Sequence, residues 1–325
     1  MTCSPSGPGC SANLPEGNIM RIAVIGAGGV GGAFGAALAK ASADVTFVAR
    51  GAHLAAMKSV GLKIRSPRGD THLAPTQATD DPTTIGEVDI VLFCVKLWDV
   101  EIAGNHIKPL IGPETAVIPL QNGIDAHERL LPILGPRAVM GGVAQISAAI
   151  TAPGEITQTG TFMRMIFGEL DGSRSERAER FLALCQRAGF DATLSEAILT
   201  ELWMKFILLS SNAGMMALAR QPIGKLRDDP DMRPIFMAAY REAIAVGRAK
   251  GIALPADAED KVVDFTSHAP PAMKASMAVD LDRGNRLEVP WLSGKVVELG
   301  RQYGIPTPTH AMLYAMLKPY AMGTA

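Results

Sequence analysis

Residues 20–50 read MRIAVIGAGGVGGAFGAALAKASADVTFVAR, and this stretch decides the fold. The apolar run at 21–25 is rich in β-branched residues and is typical of a strand buried on both faces. A glycine-rich turn follows at 26–31, then a run of small apolar residues, then a second apolar run at 44–49. The stretch therefore predicts a strand, a turn, a helix and a second strand, in that order.

The glycines of this turn stand in the spacing G-x-G-x-x-G, at Gly26, Gly28 and Gly31. The first permits a tight turn, the second lets the backbone approach a pyrophosphate, and the third lets the helix pack on the strand. Free N–H groups at the start of the helix, around Gly29 and Val30, then face the phosphates. The spacing is a weak signal alone, but its place between strand and helix predicts a dinucleotide-binding Rossmann unit.

The end of the second strand indicates which dinucleotide is bound. An Asp or Glu there binds the ribose 2′-hydroxyl of NAD, whereas a guanidinium suits the 2′-phosphate of NADP. The chain has Arg50 at this point, between Ala49 and Gly51. We therefore expect NADP as cofactor; the alternative is that Arg50 is a solvated surface residue.

Length and charge limit the possible functions. A chain of 325 residues is long for one domain, so we expect two. The 31 basic and 32 acidic side chains nearly balance, which argues against nucleic acid or an anionic membrane as partner and favours a small molecule. The longest apolar candidate, residues 206–219, contains three polar residues and a glycine, and falls short of the roughly 20 residues that span a bilayer.

Cysteine and histidine usage favours a cytoplasmic enzyme without a metal. The four cysteines have neither the density of a disulfide scaffold nor metal-ligand spacing, and the six histidines show no metal or triad spacing. Residues 1–19 are rich in Ser, Pro and Gly and lack the features of a secretory signal, so we expect a disordered tail. Met20 is an alternative start of translation.

The remaining sequence predicts an α/β fold with an N-terminal doubly wound Rossmann sheet and a C-terminal all-helical domain. Buried strands at 89–95 and 115–120 end just before Lys96 and Asn122, where doubly wound sheets bind ligands. Further strands at 138–170 are expected to join the same sheet in antiparallel orientation. Helices follow from Ser195, a plausible N-cap. We place the domains at 20–194, binding NADP, and 195–325, for substrate binding and dimerisation.

Two ionisable side chains in the helical region are candidates for chemistry. Lys205 is surrounded by apolar residues, and burial in a cleft would lower its pKa and make it a proton donor. The alternatives are a snorkelling side chain or an ion pair with Glu201 one turn away. Glu288 stands alone before a predicted helix, where its alternative role is to stabilise the helix dipole.

In this arrangement the chain resembles the ketopantoate reductase (2-dehydropantoate 2-reductase) family over residues 20–320. The resemblance rests on several motifs in order. They are GAGGVG at 26–31, Val95-Lys96, Gln121-Asn122-Gly123, ELWMK at 201–205, Ser276-Met277, Asp280, Arg286-Leu-Glu288 and GIPTP at 304–308.

The resemblance implies an NADPH-dependent enzyme that reduces ketopantoate to pantoate in pantothenate biosynthesis. Lys205 would be the general acid that protonates the carbonyl oxygen, and Glu288 would bind a hydroxyl and hold Lys205. Asn122 would lie between nicotinamide and substrate, and Lys96 near the cofactor. Ser276 would contact the substrate carboxylate. Family members are often homodimers.

The sequence departs from the family pattern where asparagines are expected. Leu209 and Ala213 stand four and eight residues after Lys205, with Asn212 one place out of register, and Met273 stands three residues before Ser276. These exchanges make the site more apolar, so a different 2-oxo acid is an alternative substrate. A non-catalytic NADP-binding sensor is a further alternative, against which the presence of Lys205 and Glu288 argues.

Overall fold

The structure is a computed structural model that describes residues 19–323. The tail expected at residues 1–19 lies, apart from Ile19, outside the described residues. Strands and helices are interspersed as far as Leu194, and helices without strands follow from Ile198 to the end of the described residues. This order confirms the predicted α/β fold with a helical C-terminal region.

The strands of the described part are β1 (Arg21–Ile25), β2 (Asp44–Val48), β3 (Leu62–Arg65), β4 (Thr71–Leu73), β5 (Ala78–Thr79), β6 (Val88–Phe93), β7 (Ile111–Pro119), β8 (Gly141–Ala152), β9 (Glu155–Gly168) and β10 (Asp191–Leu194). The α-helices are α1 (Gly29–Lys40), α2 (Gly51–Val60), α3 (Val100–His106), α4 (Ala126–Leu134), α5 (Glu176–Arg187), α6 (Ile198–Ala219), α7 (Ile223–Arg227), α8 (Arg233–Ala249), α9 (Ala258–His268), α10 (Ser276–Asp282), α11 (Ser293–Tyr303) and α12 (Pro308–Leu317).

The first sheet is parallel, with the strand order β5-β2-β1-β6-β7. β1 is its central strand, and residues 22–25 are buried, as their β-branched sequence predicts. The chain continues from β1 to β2 on one side, and β6 lies on the other. Ligands of doubly wound sheets bind where the order reverses in this way, at the carboxyl ends of the strands. The glycine turn of residues 26–31 and Lys96 follow the ends of β1 and β6.

Residues 138–170 form a second sheet, so the prediction that they extend the first one is wrong. β8 pairs antiparallel with β9, and β9 also pairs with β3 and β10. An isolated parallel bridge between Val117 of β7 and Val139, just before β8, lies where the two sheets meet. Residues 155–168 form the single long strand β9, with Gly160 at a φ of +74° inside it.

Helix α1 lies between the two sheets, and its glycines explain why β8 and β9 form a separate sheet on its far side. A Cβ atom at Gly29 would lie 2.0 Å from the carbonyl oxygen of Ala148 in β8. At Gly32 it would lie 2.2 Å from Cδ1 of Ile156 in β9. The glycines therefore let β8 and β9 pack directly on α1. The small residues of α1, which the sequence predicts to pack on one sheet, pack on both sheets.

Helix α6 runs through the centre of the helical region and packs against α8, α10 and α12. It begins at Ile198, not at Ser195, whose hydroxyl instead accepts a hydrogen bond from the N–H of Ala197. With 22 residues it is long and apolar enough to cross a membrane by length and composition alone. However, 67% of its apolar window is buried inside this protein, as in the core helix of a globular domain.

Candidate active site

The glycine turn at residues 26–31 has a backbone shape that requires glycine at two of its positions. Gly26 adopts a φ of +93°, which only glycine adopts freely, and a Cβ at Gly31 would lie 2.3 Å from the carbonyl oxygen of Gly26. The space beside Gly28 is open, since a Cβ there would meet no atom within 4 Å. Helix α1 begins without a side-chain cap or an acidic residue in its first turn. Its first N–H groups therefore suit the phosphates of a dinucleotide.

Arg50 lies at the end of β2, where it precedes α2 and is exposed. In the part of the chain that the structure describes, its guanidinium makes no hydrogen bond or ion pair. No neighbouring carboxylate therefore holds it away from the nucleotide side of the sheet. The side chain is placed and free to bind a phosphate, and its role on a 2′-phosphate stays a prediction.

The amino group of Lys205 points inward from α6 and bridges the two halves of the chain. Its Nζ donates to Oδ1 of Asn122 at 3.1 Å and to the carbonyl oxygen of Ala144 in β8 at 2.7 Å. Among residues 19–323 it forms no ion pair with Glu201, so that alternative is wrong for this structure. Burial lowers the pKa of Lys205 to about 8, while the nearby charge of Glu288 raises it.

Glu288 completes this arrangement from the other side of Asn122. Its Oε2 accepts a hydrogen bond from Nδ2 of Asn122 at 3.4 Å, and its Oε1 lies 3.9 Å from Nζ of Lys96. The side chain is only 6% exposed and forms no capping bond to the short 3-10 turn Val289–Trp291 that follows it. We call Lys96, Asn122, Lys205 and Glu288 the polar cluster. The structure thus brings together four of the residues proposed from the sequence.

Ser276 lies beside this cluster without contacting it. It is the exposed first residue of α10, and one turn later Asp280 lies 3.8 Å from Nζ of Lys96. Residues four apart share one face of a helix, so Ser276 is on the side of α10 that carries Asp280. The structure gives the Ser276 hydroxyl no hydrogen bond within the described residues. Its contact with a substrate carboxylate therefore stays a prediction.

Asn212 cannot replace the asparagines that the family pattern places on α6. Its Nδ2 donates to the hydroxyl of Thr266 at 3.2 Å, and its Oδ1 accepts a hydrogen bond from the hydroxyl of Tyr240. The hydroxyl oxygens of Tyr240 and Thr266 lie 2.8 Å apart. The three side chains therefore form a closed and buried ring of hydrogen bonds. Asn212 therefore belongs to the core of the helical region.

A cation and two aromatic rings next to the polar cluster were not found from the sequence. The guanidinium of Arg286 lies 4.4 Å from the ring centre of Trp98 and 5.9 Å from that of Trp291. The two rings are 6.1 Å apart, and Nζ of Lys96 lies 5.6 Å from the Trp98 ring. We call Trp98 and Trp291 the tryptophan pair. Each was visible in the sequence, but nothing local indicated that they meet.

Comparison with known families identifies this arrangement. A sequence profile described as "Ketopantoate reductase PanE/ApbA" matches residues 22–172, and one described as "Ketopantoate reductase PanE/ApbA C terminal" matches residues 197–321. The chain belongs to the ketopantoate reductase family. Membership of the family makes it an oxidoreductase that uses NAD(P) and a small-molecule substrate. The predicted family is therefore confirmed.

Two relatives show how far the similarity to this family extends. The chain is similar to the 2-dehydropantoate 2-reductase of Mesorhizobium japonicum, with 30% identity over 327 residues that cover 93% of this chain and 98% of the relative. It is similar to YkpB of Bacillus subtilis, an uncharacterized oxidoreductase, with 30% identity over 302 residues that cover 93% of this chain and 99% of YkpB.

Solved structures share the whole fold. A PanE/ApbA family ketopantoate reductase from Ralstonia eutropha JMP134 has a TM-score of 0.85 and 28% identity, and the match covers 93% of this chain and 98% of that one. A D-mandelate dehydrogenase with NADH and anilino(oxo)acetate has the same TM-score of 0.85, with the same coverage of both chains, at 20% identity. The second likeness concerns the fold alone.

Proposed function

We propose that the protein reduces a 2-oxo acid with NADPH, and that the acid is 2-dehydropantoate, giving pantoate for pantothenate biosynthesis. The observation that carries the proposal is the amino group of Lys205, held by Asn122 and Ala144 with its pKa lowered to about 8. The name 2-dehydropantoate 2-reductase of a relative at 30% identity supports this choice of substrate.

Lys205 acts in this proposal as the general acid. NADPH, when bound, supplies the hydride that reduces the carbonyl carbon. Negative charge then develops on the carbonyl oxygen, and a nearby ammonium stabilises this charge and transfers its proton. With a pKa of about 8, Lys205 is mostly protonated at neutral pH and yet releases its proton more readily than an ordinary lysine.

The neighbours of Lys205 orient it and its substrate. Asn122 accepts a hydrogen bond from Lys205 and donates one to Glu288, so one amide fixes both groups. Glu288 is left with an oxygen that faces Lys96, where a substrate hydroxyl can donate to it. We propose Lys205, Asn122, Glu288 and Ser276 as the substrate-binding residues, with Lys205 and Glu288 catalytic.

The residues around β1 and β2 suit the dinucleotide, and Arg50 favours NADP. The proposed cofactor contacts are Gly26, Gly28, Gly29, Val30, Gly31, Arg50, Lys96 and Asn122. A phosphate gains charge-assisted hydrogen bonds from an unpaired guanidinium, and no acidic residue stands at 49–51 to bind a ribose hydroxyl. A homodimer and a cytoplasmic location are predictions that rest on the sequence alone.

A second candidate is a reductase of another 2-oxo acid on the same scaffold. The apolar residues Leu209, Ala213 and Met273 favour it, because a site with fewer amide groups makes fewer polar contacts to a hydroxylated substrate. The ligand named for the D-mandelate dehydrogenase, anilino(oxo)acetate, is a 2-oxo acid with an aromatic group. Hydride transfer and the role of Lys205 are the same in both candidates.

A panel of 2-oxo acids separates the candidates. Purified protein is mixed with NADPH or NADH and each acid, 2-dehydropantoate included, and the loss of absorbance of the reduced cofactor is followed. We expect saturable turnover with 2-dehydropantoate and a preference for NADPH. Turnover only with another acid replaces the substrate and keeps the mechanism. No turnover with any acid contradicts the proposal and leaves a cofactor-binding sensor.

A further inference from the structure

Arg286 is a cation without an anionic partner beside the polar cluster. Its guanidinium rests against the Trp98 ring at 4.4 Å and near the Trp291 ring at 5.9 Å. Within residues 19–323 it makes no hydrogen bond or ion pair. An aromatic ring holds a guanidinium in a fixed plane while leaving its N–H donors free at the edge. The tryptophan pair therefore orients Arg286 without using its hydrogen-bonding capacity.

The charges around the site leave Arg286 unbalanced. Lys96 faces two carboxylates, with its Nζ 3.9 Å from Glu288 and 3.8 Å from Asp280. The ammonium of Lys205 is also influenced by the charge of Glu288. Three cations, Lys96, Lys205 and Arg286, thus meet two carboxylates. The surplus is one positive charge, which matches the single negative charge of a 2-oxo acid.

The position of Arg286 suits the acid group of such a substrate. Arg286 stands two residues before Glu288, and it shares the Trp98 ring with Lys96, whose amino group reaches Glu288. In a 2-oxo acid the carboxylate is bonded directly to the carbonyl carbon, so its ligand must lie near the groups that act on the carbonyl. A guanidinium offers two parallel N–H donors to a carboxylate, whereas the hydroxyl of Ser276 offers one.

We propose that Arg286, held against Trp98 and Trp291, binds the carboxylate of the 2-oxo acid and so restricts the substrates to anions. The inference rests on the proposed function, since it deepens the description of the same site. Arg286 binds the substrate and the transition state about equally strongly, because the carboxylate keeps its charge throughout the reaction. Its removal is therefore expected to affect substrate affinity more than kcat.

The test compares two small ligands that differ in charge. Oxamate is a 2-oxo acid anion of the substrate type, and oxamide is its neutral amide. Each is titrated into the full-length protein saturated with NADP⁺, and tryptophan emission is followed. Two of the three tryptophans of the chain form the tryptophan pair that contacts Arg286, whereas Trp203 is buried in the helical core.

Variants at position 286 separate charge from shape. Arg286→Gln removes the charge and keeps a planar group on the rings, and Arg286→Lys keeps the charge and loses the paired donors. Arg283→Gln is the matched control, because Arg283 is exposed and its side chain has no partner among the described residues. We expect Arg286→Gln to weaken oxamate binding by about 10-fold or more, as for loss of a charged hydrogen bond. Oxamide binding should stay within about twofold, and Arg286→Lys should lie between wild type and Arg286→Gln for oxamate.

Three results would overturn the proposal: no binding of oxamate to the wild-type protein, equal oxamate affinity in wild type and Arg286→Gln, or equal loss of oxamate and oxamide. If Arg286→Gln does not fold, the decision falls to Arg286→Lys, where undiminished oxamate binding counts against the proposal. The titration needs no turnover. A failed 2-oxo acid panel therefore removes the proposed function without deciding the role of Arg286, and the oxamate result decides that role separately.

Discussion

The glycine turn and the polar cluster are built in opposite ways. The turn comes from six consecutive residues whose backbone shape is dictated by glycine, at positions such as Gly26 and Gly31. The polar cluster comes from side chains far apart in sequence, since Lys205 and Asn122 are separated by 83 positions and Asn122 and Glu288 by 166. The shape of the turn is therefore set mainly by its own residues, whereas the polar cluster depends on the packing of both parts of the chain.

Replacement of Lys205 should have the largest effect and should leave the glycine turn intact. Without its general acid, Lys205→Ala is expected to lose about 10²- to 10⁴-fold in kcat, while NADPH affinity stays within about twofold because the turn is unchanged. Lys261→Ala is the control, since Lys261 is exposed and, among residues 19–323, its side chain pairs only with Asp257, which precedes the first residue of α9. Steady-state kinetics and NADPH titration measure both quantities. A fall in NADPH affinity as large as the fall in kcat would contradict the separation of the two sites.

Replacement of Arg50 should weaken the binding of NADPH without changing the polar cluster. Loss of charge-assisted bonds to a 2′-phosphate costs roughly 1.5–3 kcal/mol, so Arg50→Gln should raise the KM for NADPH by about 10- to 100-fold. The KM for NADH should not change, because that cofactor lacks the phosphate. Arg187→Gln is the control for loss of a surface charge elsewhere, because Arg187 is exposed and its side chain has no partner among the described residues. Equal changes with the two cofactors would show that Arg50 does not contact the 2′-phosphate.

Replacement of Asn212 tests whether an asparagine of α6 belongs to the site or to the core. Asn212→Ala removes the two hydrogen bonds that Asn212 makes to Tyr240 and Thr266 and leaves those hydroxyls only each other as partners, which should lower the free energy of unfolding by about 1–3 kcal/mol. The KM for the 2-oxo acid should stay within about twofold. Thermal or urea unfolding and steady-state kinetics provide the two numbers. A raised KM with unchanged stability would place Asn212 in the substrate site.

The sequence predicted the turn well because its information is local. The spacing of three glycines between a strand and a helix specifies a backbone shape, and residues 20–50 contain all of it. The residues of the polar cluster were each singled out from the sequence, Lys96 and Asn122 at strand ends and Lys205 and Glu288 as candidates for chemistry, but their meeting in one site was anticipated only through resemblance to a family. Spacing alone is also consistent with an ion pair between Lys205 and Glu201 and with a Glu288 that stabilises a helix dipole. Neither pattern reveals a partner such as Asn122.

The errors have a common physical cause. The strands at 138–170 were recognised, but strand periodicity does not specify a pairing partner, and the packing of β8 on Gly29 of α1 decides that they form a second sheet. The N-cap of α6 is Ala197, two residues after the expected Ser195, whose hydroxyl accepts a hydrogen bond from the N–H of Ala197 before the helix begins. The contact of Arg286 with Trp98 was missed because the two residues lie far apart in the sequence, and no local pattern indicates which distant residues meet.

The measurement that tests the account most directly is the pH dependence of the reaction in both directions. If Lys205 with a pKa of about 8 donates the proton, kcat for reduction of the 2-oxo acid should be constant at lower pH and fall above about pH 8, as the ammonium loses its proton. Oxidation of the 2-hydroxy acid requires the neutral amine, so its rate should rise through the same pH. Rates that stay flat in both directions between about pH 6.5 and pH 9.5 would contradict the assignment of Lys205 as the general acid.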